Sequence, residues 1–428
     1  MPIAQKPLLL VISQVYVPDP ASVGQHMADV GEAMVERGYD VRVLTSRSGY
    51  ENPTVRYVPR EQRGGVDVVR LPCSSFGKKT LAHRLLGQSL FLSQVLIHGL
   101  FARRLTKILV STSPPMGSLA AVAIAFVRRV PIVYWVMDLN PDQAVALHKV
   151  GPKNPLVLAM RWLNRRIFGR AADVIVLDRF MAGRVRSQYR LGGQLHIIPP
   201  WPHEDFLASD EGPNPFRAEH NPDNKFVVMY SGNHSPASPV TTLVQAAMRM
   251  QDDPRFLFMF IGGGQGKREV DEAIAEHKPR NMLSLPYQPL ERIRYSLPAA
   301  DIHAVTLGND MVGIIHPCKI YGAMAVGRPV LFIGPRPSHA TDLLDQHAAG
   351  WHVQQGEVDE LIAKLHQAID MPAFERLEMG HRAHSGIAAA CSKSKLCPSF
   401  CEVVAGTATH AKQQLHVLRD RPTTTTGN

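Results

Sequence analysis

The chain has 428 residues, 45% of them hydrophobic and 20% charged, and a formal net charge of +10. That length suits two or three domains, and the composition is that of a globular protein, which sets aside fibrous and wholly disordered classes. The longest apolar stretch, residues 85–101, is broken by Gln88, Ser89, Gln94 and His98, so it falls short of the roughly 20 mostly apolar residues of a membrane-spanning helix.

The N-terminal MPIAQKPLLLVIS lacks a cleavage site after its apolar run, so LLLVIS (8–13) is expected as a first strand rather than a signal peptide. A helical pattern runs from Ser22 to Arg37 and stops at Gly38, and VRVLT (41–45) follows. Further strands are expected at 66–71, 107–112, 131–136 and 173–177. Their apolar residues are continuous rather than alternating, as in strands covered on both faces. With helices between them, this is βαβ repetition around a parallel sheet. Residues 199–225, rich in proline, acids and asparagine, read as a linker. The alternation then restarts at 226–232, 256–264, 282–285, 301–305 and 329–334. The expected fold class is therefore α/β, with two Rossmann-like domains whose strand ends face each other across a cleft. The C-terminal RPTTTTGN reads as a disordered tail.

Charge is unevenly distributed. Residues 1–200 hold 26 Lys and Arg against 12 Asp and Glu, a balance of +14, and the remainder carries −4. This is either an ordinary solvated basic surface or a surface turned toward something anionic, such as a membrane or a phosphorylated acceptor. Lys78, Lys79, Arg84, Arg103 and Arg104 flank residues 85–101, a segment that either meets that membrane or packs inside the domain. No nucleic-acid partner is expected, because the basic residues are not interleaved with a helix-turn-helix or stacking pattern. Five cysteines without framework spacing fit a reducing compartment. No zinc spacing, D-x-D pair, G-x-S-x-G elbow or Walker A loop occurs, so no metal or cofactor is expected.

Candidate site residues cluster at strand ends. VPDPASVG (17–24) joins the first strand to a helix, and Gly24 with Ser22 and Val23 would let backbone N–H groups approach a phosphate; an ordinary βα turn is the alternative. SGNHSP (231–236) offers Ser231, Gly232, Asn233 and His234 to a diphosphate. IGGGQG (261–266) brings Gly263 and Gly264, at a spacing too compressed for a dinucleotide fingerprint. Tyr287 either stacks on a base or belongs to the core. In HPCKIYGAMAVGRP (316–329), Pro317, Lys319 and Ile320 open a helical run, and a helix N-terminus carrying a cation favours an anion. Asp138, with Asn140 close behind it, ends the apolar PIVYWV and either faces the cleft or caps a turn.

Taken in order, PxxxSVGQHMADVGEAMVERGYDVRVLTS, YSGNHSPxxxxxTLVQAA, IGGGQGKREVDEA and KIYGAMAVGRPVLFIG resemble a GT-B glycosyltransferase of the family 4 group. More narrowly, they are similar to bacterial polysaccharide or O-antigen enzymes of the amino-fucosyltransferase type. The resemblance covers about residues 7–370. It implies an acceptor-side domain at 1–203, a nucleotide-sugar domain at 204–375, a helix at 376–405 crossing back to the first domain, and a tail at 406–428. It implies a nucleotide-diphosphate sugar, UDP-linked, as donor, a glycan or lipid-phosphate acceptor, and retaining transfer without a metal. From the cysteine usage and the basic first half, the expected setting is the cytoplasm, at the inner face of the plasma membrane if that half meets a membrane. Lys319 and Asp138 then take the catalytic roles, with Asn140, Ser22 and Val23 on the acceptor side and the remaining residues around the donor. Two departures stand out. The family's paired glutamates fall at Ile314 and Gly322, and SGNHSPASPV lacks the usual Arg or Lys. A sugar-nucleotide 2-epimerase and a non-catalytic nucleotide-binding module share the architecture and remain alternatives.

Overall fold

The computed structural model describes residues 5–19, 21–49, 54–72, 81–114, 116–202 and 212–408. The first sheet contains β1 (Leu8–Ile12), β2 (Asp40–Ser46), β3 (Arg60–Arg63), β4 (Val66–Leu71), β5 (Leu105–Ser111), β6 (Ile132–Trp135), β7 (Asp173–Val176) and β8 (Gln194–Ile197). Their spatial order is β3-β4-β2-β1-β5-β6-β7-β8, and β3 alone pairs antiparallel. The second sheet contains β9 (Phe226–Ser231), β10 (Phe256–Ile261), β11 (Met282–Leu285), β12 (Ile302–Thr306), β13 (Val330–Ile333) and β14 (Gly350–Val353). Its order is β11-β10-β9-β12-β13-β14, parallel throughout.

Helices cover both faces, so β1 and β10 are buried at every position. This explains their unbroken apolar runs. Each sheet reverses its winding once, at β1/β5 and at β9/β12. Such switch points open a crevice at the carboxyl ends of the strands, where ligands bind in open α/β sheets.

Three strands escape the apolar-run reading: β3 (REQR), β8 (QLHI) and β14 (GWHV). All three are edge strands and more exposed than the centre, so their sequences lack the continuous apolar signal. The stretch expected as a linker contains a short helix, Pro215–His220, while residues 203–211 lie outside the described residues. So do Lys78, Lys79, the side chain of Arg84, and residues 409–428 of the expected tail.

The C-terminal segment is two helices, Ala373–Cys391 and Lys393–Ala405, with an extended Ser392 between them. The first packs on the helix Lys319–Ala325, and the second returns to the first domain and packs on Ser22–Glu36. Lys393 pairs with Asp29 at 2.7 Å there, and the Phe400 ring lies edge-on to Trp135 and Trp201. Among the described residues, no helix is long and apolar enough to cross a membrane.

Candidate active site

The carboxyl ends of β9 and β10 carry two loops that hold each other. His234 N–H donates to Gly263 O at 2.7 Å, and Gly266 N–H donates to His234 O at 2.8 Å. Glycine is required here by space. A Cβ at Gly262, whose φ is +127°, would lie 2.1 Å from Gly232 O, and one at Gly264 would lie 2.2 Å from Asn233 Oδ1. Gly263 lies beneath the Tyr287 ring, where a Cβ would come within 2.8 Å of it. The structure thus brings Ser231, Gly232, Asn233, Gly263, Gly264 and Tyr287 into one surface.

Lys319 joins the same surface. Its Cε would be 2.8 Å from a Cβ at Gly232, and its Nζ stands 5.1 Å from the centre of the Tyr230 ring. The side chain is half-buried, and among the described residues no carboxylate pairs with it. The helix it opens, Lys319–Ala325, is only seven residues long. The positive character of this spot therefore rests on the ammonium more than on a helix dipole. Pro317 is buried beneath it, and the fully buried Ile320 belongs to the core, with its N–H bonded to Pro317 O at 3.1 Å.

His234 lies differently from the other loop residues. It is fully buried and packs against Tyr230 with ring centres 4.6 Å apart. Burial, then the charges of Lys267 and Lys319, push its pKa down to about 4. A neutral, enclosed imidazole supports the loop from below and does not present a cation to the cleft.

Sequence reasoning passed over Lys267. Its ammonium is buried, donates to Phe260 O and to Leu285 O at 2.9 Å, and so ties the ends of β10 and β11 together. Burial brings its pKa down to about 8. The signal available was a lysine directly after a glycine run at a strand end.

On the first domain, Gly24 sits under the turn after β1, where a Cβ would meet the Tyr16 backbone at 3.0 Å. Ser22 and Val23 begin the helix above it, with Ser22 exposed. Asp138 follows β6, and its N–H donates to Thr112 Oγ1 at 3.3 Å. Its carboxylate has no hydrogen-bond partner among the described residues. Burial pushes its pKa up to about 6, opposed by the nearby His316 of the second domain. The next residue, Leu139, donates its N–H to Ile314 O at 2.8 Å across the domain boundary. Asp138 therefore lies at the carboxyl end of a first-domain strand and faces the second domain. The backbone carbonyl of Asn140 accepts from the Asn164 side-chain amide at 2.6 Å. Ile314, at one expected glutamate position, is buried, while Gly322 lies within the short helix.

Beside Asp138, Asp142 lines an interdomain hollow of about 380 Å³ together with Arg161, Arg184, Gln188, Asn309 and Asp310. Its acids and bases are balanced. Among the described residues, no cluster of three or more His, Cys, Asp or Glu is arranged to hold a metal.

Comparison with known proteins agrees with this layout. Residues 22–201 match the glycosyl transferase 4-like domain, and residues 213–385 match glycosyl transferases group 1. The chain is 22% identical over 379 residues to the putative colanic acid biosynthesis glycosyl transferase WcaI of Escherichia coli (strain K12), covering 85% of this chain and 92% of that one. In fold it is similar to the sucrose-phosphate synthase (tll1590) of Thermosynechococcus elongatus, with a TM-score of 0.72, 15% identity, and coverage of 94% of this chain and 99% of that one. It is also similar to Anabaena Alr3699/HepE in complex with UDP and glucose, with a TM-score of 0.70, 15% identity, and coverage of 93% and 99%. Two α/β domains built on largely parallel sheets, the glycine loops at their strand ends and both domain matches together place the chain among the GT-B glycosyltransferases of the family 4 group.

Proposed function

We propose that the protein moves a hexosyl or N-acetylaminosugar unit from a UDP-linked donor to a glycan or lipid-phosphate acceptor, with retention, in cell-surface polysaccharide synthesis. One observation carries the reading. Lys319 is a half-buried ammonium without a carboxylate partner among the described residues, laid across a glycine-lined strand-end loop. A diphosphate is the anion that such a cation and the exposed backbone N–H groups would stabilise as it leaves. Lys319 then takes the role a metal plays elsewhere, and the leaving phosphate oxygen itself receives the acceptor's proton. The UDP found with HepE and the colanic acid biosynthesis in the name of WcaI support this choice of donor and pathway class.

Asp138 is the residue for the sugar side of the cleft. Ionised, it accepts from a sugar hydroxyl and favours positive charge developing at the anomeric carbon. Asn140, Ser22 and Val23 then border the acceptor. A 2-epimerase would instead need an acid–base pair about C2 of the sugar.

The setting we propose is the cytoplasmic face of an anionic membrane. The supporting surface is broader than residues 85–101. Neither residues 68–137 nor residues 143–172 contain an acid. Phe126 and Trp162 are exposed on neighbouring helices, with Arg170 and Arg166 over their rings at 5.1 and 5.0 Å.

The test is incubation with UDP-sugars, with and without a lipid-phosphate extract. Transfer that requires the extract is the expected result. Epimerised donor without extract would establish the epimerase, and binding without either reaction would leave a nucleotide-binding module.

A further inference from the structure

The first domain's Asp178 and the second domain's His316 form a buried pair, Oδ2 to Nδ1 at 2.7 Å, with both side chains almost fully enclosed. The chain of contacts continues inward. His316 Nε2 meets Tyr321 OH at 2.8 Å, and Tyr321 OH meets His339 Nε2 at 2.8 Å. One proton order satisfies every member: His339 Nε2–H donates to Tyr321, Tyr321 O–H to His316 Nε2, and His316 Nδ1–H to Asp178. These tautomers are assigned from the network. Asp178 is committed on its other oxygen as well, accepting from Met181 N–H at 2.8 Å as the cap of the helix Arg179–Gln188. The His316 contact holds its carboxyl down at about 2 against the opposing effect of burial.

The same seam carries three more constraints. Arg179 grips Asp342 of the second domain at 2.6 and 2.9 Å. A Cβ at Gly313, where φ is +69°, would lie 2.7 Å from Phe180 O. Leu139 bonds Ile314. Residues 313–316 are thus seated on the segments that follow β6 and β7, and His316 is their only imidazole.

We propose that His316 is a positioning residue for sugar transfer: by joining Asp178 to Tyr321 it pins the segment that carries Lys319 to the domain that carries Asp138. His316 stands three residues before Lys319 in the sequence. Losing the pin leaves the glycine loops and Lys319 intact on their own domain but loosens the seam, so that this domain sits farther from the first. The inference rests on the proposed roles of Lys319 and Asp138.

The experiment compares the parent with His316→Ala, His316→Asn and Asp178→Asn. UDP affinity is measured by thermal-shift titration, and turnover as UDP release from UDP-glucose and UDP-N-acetylglucosamine with the lipid-phosphate extract present. The radius of gyration is measured by small-angle scattering. In His316→Ala we expect UDP affinity within about twofold of the parent, kcat lower by about 100-fold, and a larger radius of gyration. His316→Asn, whose amide still donates to Asp178, recovers at least tenfold of the lost kcat. Asp178→Asn keeps the helix cap and shows the same pattern in weaker form, so it serves if the alanine variant fails to fold. An unchanged radius overturns the proposal, as does a loss of UDP affinity in step with kcat. If the parent neither binds UDP nor releases it, the donor reading fails, and the scattering result alone decides the pin.

Discussion

Lys319 has no carboxylate partner among the described residues, so its removal costs the fold little and the ligand much. A charge-assisted hydrogen bond contributes about 1.5–3 kcal/mol, and each ~1.4 kcal/mol is tenfold in affinity. Lys319→Ala is expected to weaken UDP binding by roughly one to two orders of magnitude with its melting temperature preserved. Parent-like titration and turnover would end the phosphate assignment. Asp138 makes a prediction with a sign that depends on pH. Its pKa rises from 3.8 to about 6 on folding, so the folded state holds that proton more tightly. Below the unfolded value both states are protonated and there is no penalty. As pH rises through 6 the folded state must ionise a buried carboxyl, and stability is lost. Asp138→Asn is therefore expected to melt higher than the parent at pH 8, with the gain fading toward pH 4. Its turnover should be low and lack the parent's rise near pH 6. A melting difference independent of pH would remove the titration argument.

At the scale of elements, the donor surface depends on two strand-end loops being in contact, and glycine permits that contact. Gly262→Ala would put a methyl group 2.1 Å from Gly232 O at a backbone angle that L residues rarely adopt. Strain of this kind costs about 1–3 kcal/mol before the clash is counted. The expected variant is less stable and loses UDP binding, because the loops of β9 and β10 part. Calorimetric melting and UDP titration check both; a stable variant with parent affinity would mean that loop contact is not what shapes the site. The compressed glycine run and SGNH were each legible in the sequence as strand-end loops, but their contact was not. Pairing depends on β9 and β10 being neighbours, which is a tertiary fact.

For the whole molecule, the charge imbalance seen in composition acquires an address in the structure. Arginines near an anionic surface contribute about 1 kcal/mol each and are screened by salt. The protein is expected to sediment with vesicles containing phosphatidylglycerol at low salt, to be released at high salt, and to bind less after Trp162→Ala with Phe126→Ala. Failure to sediment under both conditions would dispose of the membrane contact. Salt-independent self-association lost in the double variant would instead identify a second copy as the occupant of that face.

By itself the sequence determined the α/β class, the two sheets, the central strands and the glycine-bearing turns. Each of these follows from local composition: apolar runs bury, and glycines turn. Lys319 and Asp138 were legible as polar residues directly after buried strands or at a helix start. The edge strands β3, β8 and β14 were not, because an edge needs only half the apolar residues. His234 reads as a loop residue beside a phosphate site, yet it is buried under Tyr230; which way a loop side chain points is settled by what packs around it. Only the tertiary structure decided that His316 meets Asp178, 138 residues away. A hydrogen bond between two domains leaves no period or spacing in either, because it depends on how the two finished sheets are set against each other.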